Sequence, residues 1–135
     1  MTTTVDDDLA QAVVALVDAR LQQMATPAHA FEADDAPQSG SGYVVVTLSR
    51  RFGGNGRVFG GLSPSAWRMT ARAVGSGMTN ARIYLAVASQ AIEQKRVTVG
   101  GVTSTPIQFE TEDPIGQDDL DQSLYSGLRT YTFSF

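Results

Sequence analysis

The chain has no cysteine and one histidine, His29. The first absence removes disulfides, zinc–thiolate sites, iron–sulfur clusters and thiol nucleophiles together, and the second leaves too few imidazoles for a histidine-built metal site within one chain. Long apolar runs are missing too: nothing approaches the roughly 18 consecutive apolar residues of a membrane helix. The opening MTTTVDDDL is polar and acidic where a secretion signal is basic and then apolar. The expectation is a chain made in the cytoplasm that stays soluble, without a membrane partner. Charged residues are sparse, at 18%, whereas apolar residues make up 42% of the 135 positions. That is enough for one domain over residues 1–135, burying roughly two-thirds of its unfolded surface.

The net charge of −4 conceals a segregated distribution. Residues 1 to 35 carry seven acids against Arg20. Residues 36 to 109 carry eight bases (Arg50, Arg51, Arg57, Arg68, Arg72, Arg82, Lys95 and Arg96) against Glu93. Residues 110 to 135 carry six acids against Arg129. Two readings are open. A basic face on one copy meets an acidic face on the next, giving head-to-tail contact, or the segments neutralise one another within a single fold at little energetic consequence.

Periodicity supplies the elements. Leu9, Val13, Leu16, Val17, Leu21 and Met24 fall on one helical face, which Pro27 brings to an end. A short strand is expected around His29 to Glu32, within the polar, turn-rich stretch 28 to 42. Tyr43 to Phe52 is a strand signal, β-branched and free of glycine and proline, and its continuous Val44, Val45 and Val46 predict cover on both faces. Residues 51 to 65 then form a flexible glycine-rich loop or hairpin tip, with five glycines between Arg51 and Gly61. Residues 66 to 74 alternate, placing Trp67, Met69, Ala71 and Ala73 on a core face. A second helix capped by Thr79 or Asn80 should run to about Lys95, with Ala81, Tyr84, Leu85, Ala88, Ala91 and Ile92 as its stripe, widened by Ile83 and Val87. Val97 to Glu110 reads as a hairpin turning at Gly100-Gly101, residues 110 to 123 as an acidic loop, and the end as a strand with Tyr131, Phe133 and Phe135 on one face. The fold class expected is α+β: a mainly antiparallel sheet with an N-terminal and a central helix packed on it, plus the long glycine-rich hairpin loop.

A search for chemistry finds none. The glycines at 53, 54, 56, 60 and 61 match neither the P-loop nor the dinucleotide-binding spacing. Arg50, Arg51 and Arg57 beside Phe52 and Phe59 have the residue types that stack on bases, but the sequence pI of about 4.7 opposes a nucleic-acid footprint. The acids from Glu110 to Asp121 lack the offsets of a calcium loop, and a glycosidase needs two carboxylates facing each other across a cleft. No catalytic residue, metal or cofactor is expected, and the protein is read as not an enzyme.

The N-terminal helix, the Tyr43-Val44-Val45-Val46 strand, the second helix, the V-x-V-G-G-V hairpin at Val97 to Val102 and the D-P-x-x-x-D-D-L segment before an aromatic strand ending in Tyr131-Thr132-Phe133 together resemble the tail terminator proteins of long-tailed bacteriophages. The resemblance spans nearly the whole chain. It implies a structural virion protein, assembled in the host cytoplasm and then located at the head-proximal end of the tail. There a ring of six subunits caps the tail tube, stops its polymerisation and forms the tail-side surface for head joining. The implied partners are further copies of the chain, the tail tube protein and the head–tail connector, with DNA passing through unbound. The alternatives are a head–tail joining protein, a tail tube subunit, or a small enzyme or binding module unrelated to viruses.

A compact body of this length has a radius of gyration of about 14 Å, so six touching copies leave an opening of roughly 35 Å, wide enough for duplex DNA. Bases facing such a bore would hold phosphates. The acids Glu110, Glu112, Asp113, Asp118, Asp119 and Asp121, or those within residues 32 to 35, are therefore expected at the bore or its rim. Arg50, Arg51, Phe52, Arg57 and Phe59 are expected to face a neighbouring subunit or the tail tube.

Overall fold

The computed structural model describes residues 5–24, 29–32, 42–50, 66–117 and 124–135. The glycine-rich stretch 51–65 expected as a loop lies outside the described residues. Element order is α1 (Val5–Leu21), β1 (His29–Glu32), β2 (Tyr43–Arg50), β3 (Ala66–Gly75), α2 (Met78–Ile92), β4 (Thr98–Val99), β5 (Val102–Thr103), β6 (Gln108–Gln117) and β7 (Tyr125–Ser134). The five longer strands form one sheet in the order β1-β2-β3-β7-β6, antiparallel except for β1 on β2, and β4-β5 form a separate hairpin. This is the α+β class expected.

One face of the sheet carries both helices. The α1 stripe buries Leu9, Val13, Val17 and Leu21 completely, whereas Leu16 and Met24 are half-buried at its margin. α2 buries Ala81, Leu85, Ala88, Ser89, Ala91 and Ile92. Beneath it the central strands taper. The register pairs Ala73 with Gly127, Ala71 with Arg129, Met69 with Tyr131 and Trp67 with Phe133, so side-chain size grows along the strands. Small residues at one end let the helix approach the sheet closely, and large ones at the other fill the widening gap. At Gly127 an added Cβ would lie 2.5 Å from Ile115 Cγ1 and 3.3 Å from Leu85 Cδ2, so the missing side chain is what admits the contact between α2 and the end of β6. Val44, Val45 and Val46 are all buried, as their unbroken run predicts; Val45 belongs to a small cluster with Tyr43 and Val74 on the opposite face.

Five expectations are corrected. The stretch beginning at Glu110 is not a loop: β6 runs from Gln108 to Gln117 and pairs with β7 over most of its length. Its composition is poor for a strand, but an edge position tolerates Pro114 and Gly116, and the register shifts at Phe109/Thr111 and Asp113/Gly116 absorb them. α2 begins after Gly77 without a side-chain cap, with Thr79 and Asn80 already in its first turn. It stops at Ile92, three residues before Lys95, because Gln94 adopts φ 66° and its N–H turns to the Ile107 carbonyl. Ile83 does not widen the buried stripe, since it is 44% exposed. The hairpin is shorter than Val97 to Glu110, its strands only two residues each. Its turn is the expected Gly100-Gly101, at φ 58° and 80°, the left-handed pair that a two-residue turn requires.

Candidate assembly surface

The two edges of the sheet are unlike. At β1, the outward backbone N–H of Ala30 donates to Asp18 Oδ1 of α1 at 2.9 Å, and Gln22 Nε2 lies 2.8 Å from His29 Nδ1. An α1 side chain thus takes one backbone donor of that edge. At the other end, β6 is flanked on one side by β7, and no described strand lies on its outer side. Of its ten residues nine are exposed, Ile115 being the exception, and Phe109 is exposed by 47%. An uncovered strand edge is a template for pairing with another chain.

The sequence-predicted residues divide around this strand. Glu110, Glu112 and Asp113 sit on β6 and are exposed. Arg68 reaches across from β3 to Glu110 (3.1 Å), and Arg129 Nε donates to Glu112 Oε1 at 2.9 Å. Partial neutralisation within one fold is therefore real, with a base of the middle segment against an acid of the last. Such exposed pairs contribute only about 0–1 kcal/mol each; Arg129 and Glu112, directly opposite in register, also favour that alignment. Arg50 ends β2 opposite Trp67. Arg51, Phe52, Arg57, Phe59, Asp118, Asp119 and Asp121 lie outside the described residues, as do residues 33 to 35; Glu32 closes β1, half-buried.

A polar chain runs inward from β6. Glu112 holds Arg129, whose guanidinium also donates to Ser89 Oγ on α2, and Ser89 Oγ lies 2.5 Å from the Tyr131 hydroxyl. Phe109 packs edge-on against the Tyr131 ring at 6.2 Å between centroids. Ser89 and Tyr131 are buried, and among the described side chains no buried polar atom lacks a partner. Sequence reasoning does not single out this group. The signal is nonetheless present, because Ser89 lies four residues from Leu85 on the buried stripe of α2, and Arg129 lies two residues from Tyr131 on one face of its strand.

Burial pushes the Tyr131 phenol above its ordinary value, against the hydrogen bond from Ser89 and the charge of Arg129, which favour ionisation. Burial tends to lower the Arg129 value, but Glu112 and Tyr131 outweigh it and hold the guanidinium more firmly protonated than usual. The consequence for Tyr131 has a definite sign. A raised folded-state value contributes stability that is fully present below the unfolded phenol's value of about 10 and is lost as pH rises through the folded one. Urea titrations between about pH 9 and 11.5 should accordingly show a steeper alkaline loss for the wild type than for Tyr131→Phe; parallel curves would contradict the assignment.

Ser89 is buried and doubly hydrogen-bonded, and no three His, Asp or Glu residues converge as a metal-binding group among the described residues. No helix among them is long and apolar enough to cross a membrane. No protein-family model matches the chain, and neither does any curated protein sequence. Among solved structures it is similar to a chain of the virion of a native gene transfer agent particle, at 12% identity and a TM-score of 0.60, over 93% of this chain and 95% of that one. The two share a fold along nearly their whole lengths.

Proposed function

We propose that the protein is a structural component of a phage-type virion, and within that class a tail terminator. It forms a six-subunit ring that caps the tail tube, stops its polymerisation and presents the tail-side surface for head joining. The observation that carries this reading is the shared fold with a virion chain over 93% and 95% of the two lengths. At 12% identity the likeness resides in architecture rather than residues. That no described strand lies on the outer side of β6 is consistent with a subunit that continues into neighbours. In this reading the protein is not an enzyme and uses no cofactor. The acids between Glu110 and Asp121 stand at the bore or its rim, where bases would retard DNA, and the Arg50 to Phe59 segment meets a neighbour or the tube.

A reconstruction of virions carrying this chain tests the proposal. One ring at the head-proximal end of the tail supports the terminator. Many stacked rings would make it the tube subunit, a ring on the head side a joining protein, and absence from the particle would overturn the virion role altogether. Loss of the gene should release tails of uncontrolled length if the terminator reading holds.

A further inference from the structure

Two of the large apolar side chains exposed among the described residues stand on strands paired on one side only: Val102 at 53% on β5 and Phe109 at 47% on β6. β5 pairs with β4 alone among the described strands, in a sheet of two residues a side. A hairpin that short has little stability of its own. It is anchored through β4, where Val99 is buried and α1 packs against the strand, whereas Val102 and Thr103 of β5 are both exposed. A Cβ added at Gly100 or Gly101 would meet nothing within 4 Å, so the turn stands clear of the body. At the foot of the hairpin Lys95 and Arg96 are exposed, and neither reaches a carboxylate among the described residues; Arg96 Nη1 lies 3.4 Å from the Ser104 carbonyl. β6 has the same elements with the opposite charge. Because α2 packs chiefly on β3 and β7, Phe109 rests against Tyr131 and stays half-exposed. Beside it stand Glu110, held by Arg68, and Asp113, exposed and without a base among the described residues.

We infer that β6 accepts the β4–β5 hairpin of a second copy of this chain, with Val102 against Phe109 and the bases Lys95 and Arg96 against Glu110 and Asp113. Charge decides against the symmetric pairings. Two β6 strands meeting each other would oppose Glu110, Glu112 and Asp113 to their own kind, and two hairpins would do the same with Lys95 and Arg96. Hairpin against β6 is the combination in which opposite signs meet. Each surface also supplies what the other lacks, since an apolar side chain and a one-sided strand are present on both. Within one copy the two do not touch: the hairpin rests on α1, and β6 on β7 and α2. A contact joining two different surfaces is heterologous, and repeated contacts of that kind close into a ring when the rotation permits. The inference rests on the ring reading only for that closure. It assigns Glu110 and Asp113 to the rim between copies rather than to open bore.

Light scattering coupled to size exclusion, on the full chain, tests it. The wild type should be oligomeric. Val102→Asp should run as the 14.4 kDa monomer with far-UV circular dichroism unchanged, because the side chain is exposed and its replacement faces the acids of β6. Lys95→Glu/Arg96→Glu and Glu110→Lys/Asp113→Lys should each be monomeric as well. An equimolar mixture of these two charge variants should recover the large species, because opposite charges then meet at every junction. Should loss of the Arg68 pair unfold the lysine variant, Val102→Asp decides the matter alone. Retention of the oligomer in Val102→Asp, or a mixture of folded charge variants that stays monomeric, overturns the inference and leaves the ring reading standing. A monomeric wild type overturns both.

Discussion

Tyr131→Ala should destabilise the protein by about 3–5 kcal/mol, the range for removing a large aromatic from a packed core, and lower the melting temperature by roughly 10–20 °C at about 3–4 °C per kcal/mol for a domain of this size. The ring is completely buried, among the largest such side chains among the described residues, and it lies where the sheet must fill a widening gap beneath the helices. Its hydroxyl adds a separable contribution. Tyr131→Phe keeps the volume and removes the bond to Ser89, whose oxygen retains Arg129 as a partner, so the loss should be only about 1–2 kcal/mol. Calorimetry on the pair separates packing from hydrogen bonding. Equal losses in the two variants would show that the ring itself contributes nothing beyond its hydroxyl.

Leu85→Ala comes next, at about 2–5 kcal/mol and in the upper half of that range. Leu85 is buried on α2 directly over Gly127 and beside Ile115. The floor below it is three hydrogen-bonded strands, β3, β7 and β6, which cannot collapse into the space a leucine leaves; poor collapse is what moves such substitutions to the high end of their range. Ile83 on the same helix provides the contrast. At 44% exposed, it should lose less than about 1 kcal/mol on replacement by alanine. Urea titrations should show a lower midpoint for Leu85→Ala with the slope unchanged. Similar costs for the two alanine variants would mean that the helix is rotated differently on the sheet.

Much of the architecture is legible in the sequence. Val44, Val45 and Val46 announce a strand covered on both faces, because only such a strand has use for three consecutive β-branched residues. Trp67, Met69, Ala71 and Ala73 alternate as a half-buried strand does, and all four are in the core. Leu9, Val13, Val17 and Leu21 recur at helical spacing and are all buried. In each case the signal is local: a period of two or of 3.6 residues sorts apolar from polar side chains whatever the rest of the chain does.

β6 is not legible in this way, and the reason is physical. QFETEDPIGQ has neither strand composition nor clean alternation, and what makes it a strand is β7, supplied from further along the chain. Edge pairing of this kind is a long-range event, decided by the partner's free hydrogen-bonding edge rather than by the propensities of the paired residues. The early stop of α2 is similar, since the Gln94 N–H finds the Ile107 carbonyl only once the hairpin between them has closed.

By itself the sequence determined the absence of thiol chemistry, the two helices, the central strands, the glycine turn and the segregation of charge. Tertiary structure alone decided that Glu110, Glu112 and Asp113 stand on an edge strand rather than in a loop, that Asp18 takes a backbone donor of β1 at the opposite edge, and that Arg129, Ser89 and Tyr131 form one polar chain running inward. The division follows from distance along the chain: side-chain periodicity is written within a few consecutive turns or strand repeats, whereas which edge stays open depends on groups that meet only after folding.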